Sequence, residues 1–214
     1  MLTVLGGLSG LPFFTFQSTC AENGFSIPQI CAMIKKKEAD TMNETLKTLK
    51  ERRSCRKYLP KQVEADALDL ILEAGTYAPT GMNRQAPVIV AVQDKETRDK
   101  IAKMNAAVMG TDSDPFYGAP TVLVVLADPN VRTYVYDGAL VMGNLMNAAH
   151  AVGVDSCYIF RAKEVFATEE GKEMLRAWGI PDYFEGIGNC ILGYRDEGGV
   201  KAAAPRKENY IVKV

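Results

Sequence analysis

Residues 51–58 read Glu-Arg-Arg-Ser-Cys-Arg-Lys-Tyr, placing three arginines and a serine within five positions. Planar guanidinium forks match phosphate oxygens in pairs, and a hydroxyl adds one short donor. A second basic element, Ala204-Pro205-Arg206-Lys207, lies near the end of the chain. Between the two lies a polar turn, Ala78-Pro79-Thr80-Gly81-Met82-Asn83. Taken singly, each piece has a plainer reading. Arg52–Arg56 reads equally as a solvated basic helix end, Pro79–Asn83 as a helix-stopping turn, and Arg206-Lys207 as a basic tail. Together they point to a cradle for a phosphorylated, planar small molecule.

The elements that must position these groups follow from periodicity. Asn43 is expected to cap a helix running to about Arg53. Val63–Tyr77 carries apolar residues at helical spacing and stops at Pro79. Pro87–Val92 is a β-branched run expected to be a buried strand. Lys95–Met109 reads as a helix and Thr121–Leu126 as a second buried strand. Val131–Val152 is the longest helical pattern, apolar nearly all round, and so needs burial in the core or in a subunit interface. Asp155–Phe160 reads as a third strand, Glu169–Trp178 as a helix and Tyr183–Tyr194 as holding a fourth strand. Tyr210–Val214, after an arm rich in glycine and alanine, reads as a short fifth.

The chain has 214 residues, 47% hydrophobic and 24% charged, with a net charge of −1. That is ordinary for a globular domain and gives no general attraction to nucleic acid or an anionic membrane. Cysteines stand at 20, 31, 55, 157 and 190. Their odd number and wide spacing predict reduced thiols and a cytoplasmic location. With one histidine and no CxxC, no metal site is expected. Residues 1–41 differ in character from the rest: Met1–Phe16 is apolar, rich in glycine and free of basic residues, which fits neither a membrane span nor a secretory signal. Met42 opens a normal amphipathic helix. The expected division is an atypical leader over 1–41, read as untranslated sequence ahead of a start at Met42, and a domain over 42–214.

The motifs Arg52-Arg53-Ser54-Cys55-Arg56, Ala78-Pro79-Thr80-Gly81-Met82-Asn83-Arg84-Gln85 and Pro205-Arg206-Lys207 resemble the nitroreductase family of flavin enzymes. Asp114-Pro115-Phe116-Tyr117-Gly118-Ala119-Pro120 and Asp155-Ser156-Cys157-Tyr158-Ile159 fit the same family, and the resemblance covers residues 42–214. It implies an α+β fold, an α/β/α sandwich with a mixed, mainly antiparallel sheet between helices. It also implies a homodimer that exchanges C-terminal arms and holds FMN at the subunit interface.

By that resemblance Arg52, Arg53, Ser54, Arg206 and Lys207 hold the phosphate end. Arg56 reaches the N1–O2 edge of the ring, where a cation favours the reduced flavin. Pro79, Thr80, Gly81, Met82, Asn83 and Gln85 pack on the flavin held mainly by the other subunit. Asn105 bonds the pyrimidine edge, and Ser156, Cys157, Tyr158 and Ile159 run along the ring through their backbone. Phe116 and Tyr117 form the substrate lid. Arg84 and Ala86-Pro87 depart from the family pattern and bear on the shape of the substrate pocket.

The implied activity passes electrons from a transient NAD(P)H donor to electron-poor acceptors (nitroaromatics, quinones or activated enones) by a ping-pong scheme, with no side chain as acid or base. No GxGxxG follows a strand, so no Rossmann nicotinamide site is expected. Two other readings share the residues. A flavin-dependent reductive dehalogenase would carry a Glu–Tyr–Lys set in its lid. A flavin-binding protein without turnover would bind the cofactor and resist reduction by NAD(P)H.

Overall fold

The computed structural model describes residues 43–214 and, ahead of them, Pro28. The leader expected over 1–41, with Cys20 and Cys31, otherwise lies outside the described residues. The chain divides into two units, residues 1–47 and 48–214. In the first, the Asn43 side chain accepts the Leu46 amide at 3.0 Å, so the expected cap forms. The helix it opens, α1 (Glu44–Glu51), buries none of its residues.

The second unit contains α2 (Ala65–Thr76), a 3₁₀ turn (Gly81–Asn83), β1 (Pro87–Val92), α3 (Lys95–Met109) and β2 (Thr121–Ala127). After these come α4 (Tyr134–Ala151), β3 (Asp155–Ile159), α5 (Ala162–Ala167), α6 (Glu169–Ala177) and β4 (Glu185–Gly193). The four strands form one sheet in the order β1-β2-β4-β3, and every neighbouring pair is antiparallel. An isolated parallel bridge, Ser54 to Ser156, supplies the mixed character on the β3 edge.

Strand alternation builds two cores. Val122, Val124, Leu126 and Ile191 face one side, where Ile101 and Met104 of α3, Val165 and Phe166 of α5, and Leu175 of α6 cover them. Leu123, Val125, Cys190 and Leu192 face the other, under Ile71 of α2 and Met142, Leu145 and Ala149 of α4. This is the expected sandwich. Each fully buried Leu, Ile or Phe contributes roughly 1.5–3 kcal/mol of transfer free energy. α2 approaches α4 closely because Gly75 has no side chain; a Cβ there would lie 2.6 Å from Leu145.

Some expectations need correction. β1 is an edge strand, not a buried one: of its six residues only Val92 is buried, since a strand at the sheet margin is covered less completely. Of the two alternatives expected for α4, the core covers one face only, through Val141, Met142 and Leu145, while Val135, Tyr136 and Leu140 stay exposed within the single chain. Tyr210–Val214 forms no strand. These residues are exposed and make no ladder with the described residues, because β propensity needs an edge to pair with. α5 has no counterpart among the expected elements; six residues are too few to display a helical period.

Candidate functional site

The two basic segments, about 150 positions apart in sequence, meet. A cleft of about 670 Å³ is lined by Leu49, Lys50, Arg52, Arg53, Ser54, Arg56, Lys201, Ala202, Ala203, Ala204 and Arg206. Six of these are cationic and none is a carboxylate. Arg52 and Arg53 are half-buried. Arg53 donates Nη1 to the carbonyls of Lys50 and Arg52, both at 2.6 Å, which turns its fork along the end of α1. Among the described residues, Arg52 has a buried Nη1 with no hydrogen-bond partner. A buried guanidinium nitrogen without an acceptor is costly, and a bound oxyanion would supply what it lacks.

Backbone pairing holds the floor of the cleft. The Cys55 amide donates to the Ser156 carbonyl at 3.0 Å, and the Arg56 amide to the Gly199 carbonyl at 2.8 Å. Ser54 and Cys55 are thereby sewn between β3 and Val200. Tyr58 anchors the same segment by donating its hydroxyl to the Cys55 carbonyl at 2.9 Å. Burial pushes the Tyr58 phenol and the Cys55 thiol up from their ordinary values, so both stay neutral. Ser156 is buried on β3 with an unpartnered hydroxyl. Cys157 and Ile159 are buried beside it, and Tyr158 donates its hydroxyl to the Ile187 carbonyl at 2.8 Å. The side chains of Cys157, Tyr158 and Ile159 are therefore committed to the protein, leaving their backbone for any other contact.

Pro79–Gln85 does not line this cleft. Its shape is set elsewhere, by a residue the motif reading passed over. Asp137 of α4 is buried; its Oδ1 accepts the Gly81 amide at 3.0 Å and its Oδ2 the Thr133 hydroxyl at 2.9 Å. Gly81 is required there, since a Cβ would lie 2.4 Å from the Thr133 hydroxyl oxygen. The loop then passes through three non-glycine residues at positive φ: Met82 (54°), Asn83 (52°) and Gln85 (50°). Such conformations persist only where surroundings enforce them. Gln85 closes the turn, its amide nitrogen on the Thr80 hydroxyl and its side chain on Asn83, both at 3.1 Å. Met82 is left largely exposed. Asp137 was legible in principle as the sole acidic residue of α4.

Other expected site residues lie elsewhere. Phe116 is not a lid residue. It is fully buried in the core, with the Arg98 guanidinium 5.4 Å from its ring centre. Arg98 holds that turn by donating to the Ala119 carbonyl and to Asp114, which drives Phe116 inward and leaves Tyr117 outside at φ 52°. Asn105 is fully buried. It donates Nδ2 to the Phe160 carbonyl at 2.9 Å and accepts Arg161 Nε at 3.0 Å, so its amide serves the turn after β3. Lys207 is not among the cleft residues; its ammonium lies 5.3 Å from the Tyr210 ring centre.

Residues 49–194 match the model of the nitroreductase family. A protein of Archaeoglobus fulgidus named a putative NADH dehydrogenase/NAD(P)H nitroreductase is 31% identical over 163 residues, 73% of this chain and 88% of that one. An FMN reductase [NAD(P)H] of Bacillus subtilis is 26% identical over 184 residues, 78% of this chain and 72% of that one. Among solved structures, a nitroreductase with bound FMN from Bacteroides fragilis superposes with a TM-score of 0.75 at 31% identity. It aligns over its whole length with 81% of this chain. A second with bound FMN, from Desulfitobacterium hafniense, gives 0.72 at 28% identity over the same shares of both chains. With its antiparallel sheet between two helical layers and its paired basic segments, the chain belongs to the nitroreductase family.

Proposed function

We propose that this chain is an FMN-dependent oxidoreductase that carries electrons from NAD(P)H to electron-poor acceptors such as nitroaromatics, quinones and activated enones. The observation that carries this reading is the basic cleft, free of acids among the described residues, with its buried Arg52 Nη1 that none of those residues pairs. A phosphate monoester fits it: dianionic, rich in acceptors, and matched by three arginine forks and a serine hydroxyl. The unpartnered Ser156 hydroxyl lies on the strand sewn to that cleft. The bound FMN of similar structures and the FMN reductase among similar proteins support the same cofactor.

When bound, FMN supplies the redox chemistry, alternately accepting hydride from the nicotinamide and passing electrons to the acceptor. The chain positions it. Arg52, Arg53, Ser54 and Arg206 would hold the phosphate, and Arg56 would place positive charge at the ring edge. The β3 backbone from Ser156 to Ile159 would lie along the ring, and Tyr117 would cover the acceptor. Lys207 and Asn105 act at one remove, one on the arm and one behind the turn.

The reading includes a homodimer. Val135, Tyr136 and Leu140 on α4 and Tyr210, Ile211 and Val212 on the arm are apolar and exposed. A partner sheet edge would supply the pairing that Tyr210–Val214 lacks, and the loop 79–85 would face the partner's cofactor. The three described cysteines, Cys55, Cys157 and Cys190, are free and buried, and a reducing cytoplasm would keep them so. The catalytic domain is taken as residues 42–214. An absorbance spectrum, repeated anaerobically after adding NADH or NADPH, tests the reading. Flavin bands that bleach support it. Bands that persist favour a flavin-binding protein without turnover, and a colourless protein that FMN cannot reconstitute overturns it.

A further inference from the structure

Where β3 ends, the chain turns through Phe160 and Arg161 into α5, and Arg161 adopts φ 76°, ψ 11°. That left-handed geometry is unfavourable for an arginine and is held in place by its surroundings. The restraint is Asn105, fully buried on α3, which binds the Phe160 carbonyl with one end of its amide and Arg161 Nε with the other. With Nε tied, the guanidinium plane is oriented. Among the described residues its two terminal nitrogens make no hydrogen bond, and no carboxylate pairs with it. Beside it, Phe160 is 65% exposed. A strained backbone and a buried amide thus display an aromatic ring and an unpaired, oriented cation side by side.

The corner has a definite place relative to the basic cleft. Ser156 is bridged to Ser54 on the cleft floor, and Arg161 lies five residues further along. At ~3.3 Å per residue the extended stretch from Ser156 to Ile159 spans roughly 10 Å, and the chain then turns, so the corner lies at the end of the strand that leads away from the cleft floor.

We propose that the Phe160–Arg161 corner binds the electron donor. Arg161 would take the phosphate groups of NAD(P)H, and Phe160 would stack on one of its rings. The proposal rests on the flavin reading above and deepens it by giving the transient donor an anchor that the absent Rossmann motif does not. Guanidinium forks pair with phosphates bidentately, and an exposed phenyl ring offers a stacking face.

The test uses FMN-loaded protein carrying Arg161→Gly or Arg161→Lys. Glycine adopts φ 76° freely, so Arg161→Gly deletes the cation while easing the backbone. Calorimetric titration with ADP-ribose, a redox-inactive piece of the donor, reads binding without turnover. Steady-state kinetics with a neutral quinone read the rest. The expected result for Arg161→Gly is about tenfold weaker ADP-ribose binding and a matching rise in the KM for NAD(P)H, about the loss of one charge-assisted pairing. The kcat, quinone KM and flavin spectrum should stay as in the parent. Arg161→Lys should recover part of the loss, since it keeps charge but not the fork. ADP-ribose binding and donor KM within twofold of the parent would overturn the proposal. So would a rise confined to the KM of a carboxylated nitroaromatic, which would give the cation to the acceptor. If the parent is never reduced by NAD(P)H yet binds ADP-ribose through Arg161, the functional reading fails while this site stands.

Discussion

Replacing Asp137 with alanine isolates the buried carboxylate that shapes the loop 79–85. Asp137 accepts two hydrogen bonds, from the Gly81 amide at 3.0 Å and the Thr133 hydroxyl at 2.9 Å. Hydrogen bonds to a charged group contribute about 1.5–3 kcal/mol each. In Asp137→Ala the Thr133 hydroxyl can rotate to another acceptor, but the Gly81 amide is left half-buried without one. The expected loss is about 3 kcal/mol. For a domain of this size each kcal/mol moves Tm by roughly 2–4 °C, so the variant should melt roughly 6–12 °C lower. Asp137→Asn keeps an oxygen for Gly81 and offers its amide hydrogens to the Thr133 oxygen. It should lose only about 1 kcal/mol, roughly 2–4 °C.

The loop itself provides the sharper readout. Met82, Asn83 and Gln85 hold positive φ only while the latch is closed, so the alanine variant should expose the bond after Arg84. If opening is fast relative to cleavage, a 3 kcal/mol change raises the trypsin rate at that bond on the order of 100-fold. Differential scanning calorimetry and timed proteolysis with peptide mapping measure both. A Tm within about 1 °C of the parent, with unchanged cleavage after Arg84, would refute the argument that Asp137 holds the loop.

Other expectations are as follows. Arg52→Ala should weaken FMN binding by about 10–100-fold, from the loss of one charge-assisted pairing, while leaving riboflavin affinity nearly unchanged; equal losses for both ligands would place Arg52 away from the phosphate. Arg56→Ala should lower the flavin reduction potential and slow its reduction by NAD(P)H while cofactor remains bound, as spectroelectrochemistry and stopped-flow absorbance would show. Glu185 is held below the usual carboxylate range by Lys163 first and Tyr134 second. A depressed carboxylate stabilises the fold above its unfolded pKa of about 4.3, and that contribution is lost as pH falls through the lower folded value. Glu185→Gln should therefore flatten the acid limb of Tm against pH and leave its slope near neutrality unchanged. Burial pushes the Cys55 and Cys190 thiols up, so at mildly alkaline pH both should resist iodoacetamide in the native protein and react once denatured; rapid native labelling would contradict their burial.

Local signals were legible where an element carries its own ends. Lys95–Met109 is the expected helix to the residue because Asp94 caps one end through the Thr97 amide and Gly110 closes the other in the left-handed region. Thr121–Leu126 was readable as buried because six consecutive apolar or β-branched residues have no solvent face. The basic segments were readable as phosphate chemistry because an arginine fork declares its ligand by shape.

Direction and long-range closure were not legible. Nothing in Asp114–Pro120 says which of two adjacent aromatics points inward; Arg98, from a different element, drives Phe116 in and leaves Tyr117 out. Asn105 could be placed on a helix but not assigned its partners, which are 55 and 56 residues away. The strand-like pentamer at the C terminus shows the converse: Tyr210–Val214 has the composition of a strand and forms none among the described residues. Residue type and spacing determined the longer helices, the central strands and the chemistry of the basic clusters, because those depend on neighbours a few positions apart. Only the tertiary structure decided that Arg206 and Arg52 line one cleft, that Asp137 latches Gly81 and that Asn105 aims Arg161. Each of those arrangements joins segments whose meeting depends on how the whole sheet and its two helical layers pack.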